Sequence, residues 1–233
     1  MILFKIKTGS IPLGNYKLIS LDKIPSTQTY AHDLIAAGGA RDRIAITART
    51  QTAGRGRYRR TWVSNAGNLY VSFIYRCLVR DSRLSYAVAV AIADTMISFC
   101  VTPTIKWPND ILIDGKKVCG VLIEYNHDFV VVGIGVNIQS NPVVENYGTA
   151  RLADYTTTDA QAFLGRLMRM MDKWMDAQFV DVRAHWMQLA AGLNSVVKYR
   201  GESAELIGIN EKGALMLRRG GEYFLAWGDE ISM

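Results

Sequence analysis

The chain has 233 residues, of which 49% are hydrophobic and 21% are charged, and its formal net charge at pH 7 is +6. This length and composition indicate a folded protein with a substantial core and exclude a disordered or collagen-like chain. No apolar run approaches the roughly 18 residues of a membrane span, and the N-terminus lacks the ordered regions of a signal peptide. We therefore expect a cytoplasmic protein that does not bind a membrane.

The three cysteines and three histidines are scattered along the chain. No pair of cysteines has the spacing of a zinc site with a histidine nearby. The sequence therefore predicts no metal site built from protein nitrogen and sulfur ligands. The odd number of cysteines favours free thiols in a reducing compartment.

The chain begins with a predicted strand at 15–21, a turn at 22–27 and a helix at about 28–37. Ser26 or Thr27 can cap the start of this helix, and Gly38-Gly39 ends it. The free N–H groups of a capped helix start can also bind a polar ligand, although a plain cap is the more common role of such residues.

An arginine-rich loop follows a β-branched strand at 44–48. It contains five arginines, and these account for five of the six net positive charges of the chain: Arg49, Arg55, Arg57, Arg59 and Arg60. Gly54 and Gly56 allow backbone N–H groups to approach an oxyanion, and the arginine fork matches phosphate or carboxylate. Taken alone, such a cluster is explained as well by a solvated basic loop or a nucleic-acid patch as by a loop that binds phosphate or carboxylate. Charge confined to one loop argues against a general nucleic-acid binder.

A strand at 68–75, a largely buried helix at 84–100 and a hairpin at 104–125 come next. Asp114-Gly115 predicts the hairpin turn, and Pro108 interrupts the first strand because proline cannot donate to a sheet ladder. The hairpin gathers four polar residues: Lys106, Asn109, Asp110 and Lys117. Their lysine and aspartate side chains form either a structural ion pair or a site for a phosphate, its metal ion and an incoming nucleophile.

The predicted strand at 129–138 contains Gly133 and Gly135, but Ile138 stands where a dinucleotide fingerprint requires its third glycine. We interpret it as a core strand whose small residues face a ligand cavity. A capping box at Thr158–Gln161 begins a helical region that runs to about Leu189 with a break near Val180. Short β-rich runs from 192 onward predict a small closed barrel.

Five motifs in this order resemble the biotin protein ligases: Gln51–Trp62, Asn68–Tyr70, Lys106–Asp110, Lys117–Gly120 and Gly133–Asn137. The resemblance covers residues of about 16–140 and implies an α+β fold. A class II synthetase-like mixed β-sheet flanked by helices would form a catalytic domain at 1–190, and a small SH3-like β-barrel would occupy 191–233. The implied reaction joins biotin and MgATP into biotinyl-5'-AMP and then transfers biotin to a lysine of a biotin carboxyl carrier protein.

The resemblance also implies the roles of individual residues. Lys117, Arg57 and Asp110 would be catalytic, with Lys117 binding the biotin carboxylate and the α-phosphate. Asp110 and Asn109 would lie near phosphate, Mg²⁺ and the acceptor amine. The other residues expected to bind biotin or nucleotide are Ser26, Thr27 and Gln28 at the biotin head group, Gln51, Gly54, Arg55, Gly56 and Arg57 along biotin and phosphate, Trp62 over the adenylate, Gly120, and Asn137 at the adenine end.

Three positions depart from the family pattern. Tyr58 stands where arginine is usual, Arg59 stands where glycine is usual, and Gln28 stands where asparagine is common. The catalytic pattern begins by residue 16, so we expect a ligase without a helix-turn-helix domain and without a nucleic-acid partner. A homodimer is compatible with the family.

Two alternatives stay open at this point. The first is a lipoate or octanoate transferase or ligase of the same fold, which the combination of the arginine loop and the Lys106–Asp110 motif disfavours. The second is an RNA- or DNA-binding module that uses the arginine loop.

Overall fold

A computed structural model describes residues 15–144, 147–228 and 231–232 of the chain. Residues 1–14 of the predicted catalytic domain therefore lie outside the described residues. The predicted lack of a signal peptide concerns these same residues. The larger part of the fold contains these elements: β1 (Lys17–Ile24), α1 (Thr27–Ala36), β2 (Ile44–Gln51), β3 (Leu69–Arg76), α2 (Leu84–Ile97), β4 (Thr104–Lys106), β5 (Asp110–Ile113), β6 (Lys116–Asn126), β7 (Phe129–Val136), α3 (Ala160–Met175) and α4 (Phe179–Leu189).

Seven strands form one mixed sheet in the order β1-β2-β3-β7-β6-β5-β4. The pair β1–β2 is parallel, and the other neighbours are antiparallel. Strands β3 and β7 are rich in β-branched and aromatic residues and lie at the centre of the sheet. The predicted α+β class with a mixed sheet flanked by helices is confirmed.

Helices cover both faces of this sheet. Helix α1 packs on one face against an apolar cluster that includes Ile46, Ile74 and Val131. On the other face lies α2, which is buried on nearly all sides because it also packs against α3 and α4. Helix α1 covers only part of its face, and the uncovered part of that face forms the floor of the cleft described below.

The C-terminal strands form a second, five-stranded antiparallel sheet in the order β11-β10-β9-β8-β12. Its strands are β8 (Val196–Tyr199), β9 (Glu202–Ile209), β10 (Leu215–Arg219), β11 (Glu222–Ala226) and β12 (Ile231–Ser232). Strand β12 pairs with β8 and strand β11 pairs with β10, so within the described residues the two edges do not pair with each other. The prediction of a closed barrel was wrong in this respect, because the described strands form an open sheet with β11 and β12 at its opposite edges.

Two local predictions also differ from the structure. Residues 107–109 do not interrupt one strand but form the turn between β4 and β5, in which Lys106 pairs with Asp110. The cap of α3 is Asp159 and not Thr158, because the Asp159 carboxylate accepts a hydrogen bond from Ala162 N at 2.8 Å. The hairpin at Asp114-Gly115, the break before α4 and the cap of α1 at Ser26 lie where the sequence predicts them.

Candidate active site

A cleft of about 730 Å³, including its open mouth, lies on the face of the sheet that α1 only partly covers. Its floor comes from positions that share one face of three neighbouring strands. Gly133 of β7 pairs with Ser72 of β3 and Leu122 of β6, and Gly135 pairs with Tyr70 and Gly120. The glycines leave the space that the cleft occupies, which agrees with the predicted role of Gly133 and Gly135.

Neutral polar groups surround one end of the cleft. Ser26 caps α1, and its Oγ accepts from Gln28 N at 3.2 Å and Thr29 N at 3.4 Å. Gln28 is only 3% exposed, and its Oε1 lies 3.0 Å from Ser72 Oγ. Gln51 Oε1 accepts from Thr27 N at 2.8 Å. This end can therefore recognise a small uncharged polar group by hydrogen bonds at fixed positions.

Cations line the opposite end of the cleft. Arg57, Arg60 and Lys117 contribute to its wall, whereas Arg55 lines the cleft nearer the neutral end, because it pairs with Glu124, a hydrogen-bond partner of Gln28. Arg57 Nη1 donates to Asn109 Oδ1 at 2.9 Å, and Asn109 Nδ2 in turn donates to Val121 O at the same distance. This chain of hydrogen bonds fixes Arg57 relative to β6. The cationic end can bind phosphate or carboxylate oxygens.

The arginine loop is a short hairpin that folds over the cleft. Gly56 N donates to Arg60 O at 2.8 Å, and Trp62 N donates to Gly54 O at 2.9 Å. Tyr58 and Arg59 lie at its tip with φ of 53° and 59°, as in a type I′ turn. The loop is thus an ordered cover of the cleft. Its arginines do not act as one group, because Arg49 does not line the cleft and pairs with Asp22 at 2.5 Å.

Lys117 and Asp110 form an ion pair at the cationic end. Lys117 Nζ lies 2.7 Å from Asp110 Oδ1, and the two side chains are 17% and 22% exposed. The contact does not have the geometry of a hydrogen bond, because the buried Oδ1 has none within the described structure. The Lys117 ammonium also lies 5.5 Å from the centre of the Trp62 ring. The ion pair that the sequence left open is therefore present and lines the cleft, and the binding role of the two residues stays a prediction.

Trp62 lies flat over the glycine floor. A Cβ atom added at Gly135 would come within 2.5 Å of Trp62 Nε1, and one at Gly120 would come within 2.8 Å of its Cζ3. Only glycine therefore admits the indole at these two positions. Trp62 Nε1 is buried and has no hydrogen-bond partner within the described residues. A buried donor without a partner carries a free-energy cost that an acceptor on a ligand can relieve.

The cleft collects twelve of the fourteen predicted site residues: Ser26, Thr27, Gln28, Gln51, Arg55, Gly56, Arg57, Trp62, Asn109, Asp110, Lys117 and Gly120. The two others do not line it. Gly54 packs beneath the loop, where an added Cβ would come within 2.3 Å of Trp62 O. Asn137 is buried at the end of β7, and its Nδ2 donates to Ala150 O at 3.1 Å, which ties the loop after β7 to the sheet.

Sequence reasoning missed several residues that line the cleft, notably Arg60, Tyr70, Ser72 and Tyr147. Ser72 carried a usable signal, because it is the one small polar residue of β3. Tyr147 carried none, since it lies in a loop after β7.

Two negative findings concern the described residues only. They contain no group of three or more histidine, cysteine, aspartate or glutamate side chains that could hold a metal ion unaided. Among the same residues no helix is long and apolar enough to cross a membrane.

Comparison with known proteins places these features in a family. The model of the biotin/lipoate A/B protein ligase family matches residues 20–141. A biotin–[acetyl-CoA-carboxylase] ligase of Paracoccus denitrificans is 34% identical over 216 residues, which are 82% of this chain and 90% of that protein. The bifunctional ligase/repressor BirA of Bacillus subtilis is 32% identical over 227 residues, which are 86% of this chain and 69% of that protein.

Solved structures share the fold. The biotin protein ligase from Aquifex aeolicus, in complex with biotin and ATP, superposes with a TM-score of 0.81. It is 24% identical, and the match covers 94% of this chain and 98% of that one. At this identity the likeness shows that the two chains have the same fold.

Proposed function

The chain belongs to the biotin/lipoate A/B protein ligase family, and from that premise we propose that it is an ATP-dependent biotin–protein ligase. It forms biotinyl-5'-AMP from biotin and MgATP, and then transfers biotin to a lysine of a biotin carboxyl carrier protein. The observation that carries the proposal is that one cleft joins a neutral polar end to a cationic end. Biotin has the same division, with an uncharged ring system at one end and a carboxylate at the other.

The cationic end explains how the first step can proceed. A carboxylate and the α-phosphate of ATP are both anions, so their approach is opposed by charge repulsion. Lys117 and Arg57 hold fixed positive charge where the two anions would meet, and this charge stabilises the transition state more than the separated reactants. The positions of both cations are set beforehand, by Asp110 and by Asn109 respectively.

Water must be kept from the mixed anhydride until the acceptor lysine arrives. The hairpin of the arginine loop, with Trp62 at its base, lies over the cleft and supplies this cover. The Trp62 Nε1 donor without a partner offers a contact to an acceptor atom of the adenylate.

Asp110 is the residue suited to bind Mg²⁺. Its carboxylate is the only one among the described residues that line the cleft, and Mg²⁺ on a nucleotide needs only one or two protein carboxylates in addition to phosphate oxygens. When bound with ATP, the ion would offset negative charge on the phosphates.

Transfer to a carrier domain tests this proposal. The purified chain is incubated with MgATP, a biotin carboxyl carrier domain, and either biotin or lipoate. We expect the carrier to gain the mass of one biotinyl group, and a carrier whose acceptor lysine is replaced by arginine to gain none. Modification with lipoate but not with biotin would overturn the proposal in favour of a lipoate ligase, and so would the absence of any biotin transfer.

A further inference from the structure

Glu124 of β6 joins the neutral end of the cleft to the arginine loop. It lies on the same face of the sheet as Gly120 and Leu122, because alternate residues of a strand point to the same face. Glu124 Oε2 accepts from Gln28 Nε2 at 2.9 Å and from His32 Nε2 at 3.0 Å. Glu124 Oε1 accepts from Arg55 Nη2 at 2.6 Å. One carboxylate thus connects helix α1 with the loop that covers the cleft.

The contacts of Glu124 determine which way the Gln28 amide faces. An ionised carboxylate only accepts hydrogen bonds, so Gln28 must turn its NH₂ group toward Glu124. The carbonyl oxygen of Val131, 3.4 Å from Gln28 Nε2, favours the same orientation. Gln28 Oε1 therefore faces Ser72 and the glycine floor, where an added Cβ at Gly133 would come within 2.5 Å of it. Gln28 Oε1 is consequently a hydrogen-bond acceptor that faces the cleft.

His32 reinforces the arrangement from the other side. Asn126 Nδ2 lies 3.0 Å from His32 Nδ1 and can donate to it, which leaves His32 Nε2 as the nitrogen that donates to Glu124. Burial acts to raise the pKa of the Glu124 carboxyl, but the hydrogen bonds from Gln28 and His32 and the charge of Arg55 together lower it below its ordinary value. Glu124 therefore remains an acceptor at neutral pH.

We propose that Glu124 is a positioning residue that presents the Gln28 carbonyl to the N–H donors of the biotin ring and also anchors Arg55 of the closed loop. This inference rests on the proposed function. It predicts that recognition of the ring and closure of the loop depend on the same carboxylate, so both weaken when Glu124 loses its charge. Gln28 and Arg55 contact different oxygens of Glu124, so a glutamine at this position can accept from only one of them and would turn its NH₂ group toward the other donor.

The test compares Glu124→Gln with Glu205→Gln as a matched control. Glu205 lies on β9 and also pairs with an arginine, Arg218, and the two glutamate side chains are 27% and 29% exposed. For Glu124→Gln we expect an increase of about tenfold in the KM for biotin, from one lost charged hydrogen bond, while the KM for ATP stays constant. Glu205→Gln should leave both values unchanged.

A double-mutant cycle separates positioning from a general structural role. Gln28→Asn shortens the side chain so that it no longer reaches Glu124, and we expect the double variant to bind biotin about as weakly as either single variant. Additive losses would overturn the proposal, because they would mean that the two residues act independently. A Glu124→Gln protein with a native melting temperature and a native KM for biotin would also overturn it.

Limited proteolysis reports on the loop without any substrate. Trypsin cleaves after the arginines of the loop, and we expect faster cleavage there in Glu124→Gln than in wild type or Glu205→Gln. Equal cleavage rates in all three proteins would overturn the anchoring of Arg55. A wild-type protein that binds no biotin would instead contradict the proposed function, so the two failures are distinguishable.

Discussion

Lys117 is the residue on which the chemistry depends most. Its ammonium lies 2.7 Å from Asp110 Oδ1 and 5.5 Å from the centre of the Trp62 ring, inside the cationic end of the cleft. Its charge is held in place before any substrate arrives, so it needs little reorganisation when negative charge develops between carboxylate and phosphate.

The substitution Lys117→Gln tests this role. We expect the rate of adenylate formation, measured as biotin-dependent pyrophosphate release, to fall about 10²–10³-fold, as for other preorganised groups that stabilise charge. The control is Lys116→Gln, which removes the same charge from the preceding, exposed residue of β6 and should leave the rate unchanged. A rate for Lys117→Gln within about tenfold of wild type would contradict the assignment. Such a rate corresponds to an increase of less than about 1.4 kcal/mol in the activation free energy.

At the scale of single elements, the tip of the arginine loop carries backbone strain. Tyr58 and Arg59 both have positive φ, a conformation that costs a residue with a side chain about 1–2 kcal/mol and costs glycine little. This gives a physical meaning to the departure noted in the sequence, where Arg59 stands at a position that is usually glycine.

Two substitutions at Arg59 separate strain from charge. Arg59→Gly removes both, whereas Arg59→Ala removes the charge and keeps the strain. We expect the free energy of unfolding, from urea titration, to be about 0.5–1 kcal/mol higher for Arg59→Gly than for Arg59→Ala, after the greater flexibility of glycine in the unfolded chain is allowed for. Equal stabilities would mean that the turn does not impose the strained conformation in solution.

Asp94 of α2 holds the helical layer together. Its Oδ2 accepts from Trp174 Nε1 of α3 at 2.8 Å, and its Oδ1 lies 2.7 Å from His185 Nε2 of α4. Burial acts to raise the pKa of this carboxyl, but the hydrogen bonds from Trp174 and His185 outweigh it and lower the pKa. The side chain is only 14% exposed, so the effect is not screened away by solvent.

The direction of this pKa shift predicts a pH dependence of stability. Because the pKa is lower in the folded than in the unfolded state, the stabilisation is complete above the ordinary aspartate pKa of about 4 and is lost as the pH falls below it. We expect the free energy of unfolding of Asp94→Asn to be about 1–3 kcal/mol lower than that of wild type at pH 7. This difference should shrink as the pH is lowered toward 3. Asp33→Asn, which changes an exposed aspartate on α1, should show no such pH-dependent difference. A pH-independent loss in Asp94→Asn would contradict the account.

At the scale of the whole molecule, the second sheet contributes to the site. Arg57 Nη2 donates to Gly228 O at 2.9 Å, and the hydroxyl of Tyr58 donates to the same oxygen at 3.2 Å. Tyr86 OH of α2 donates to Gly213 O at 2.8 Å. The C-terminal sheet therefore packs on the helices and also meets the tip of the loop. The division at residues 190 and 191 stays a prediction, as do the homodimer and the cytoplasmic location.

Most strands and turns were predictable from local signals, and most cleft residues were predictable only through the resemblance to the biotin protein ligases. Alternating apolar residues predict the strands, and Asp114-Gly115 predicts the turn that brings Lys117 near Asp110. Glu124 and Ser72 were not predictable as site residues, because their role depends on which strands are neighbours. Strand β7 lies between β3 and β6, and this order alone places Ser72 and Glu124 on either side of Gln28.

The most direct test of the account is the exchange of labelled pyrophosphate into ATP in the absence of any acceptor protein. If the cleft joins the carboxylate of biotin to the α-phosphate of ATP, this reversible exchange must require biotin. We predict exchange with biotin, and none without it or with biotin methyl ester, which lacks the carboxylate. Exchange that proceeds without biotin, or no exchange when biotin is present, would contradict the account.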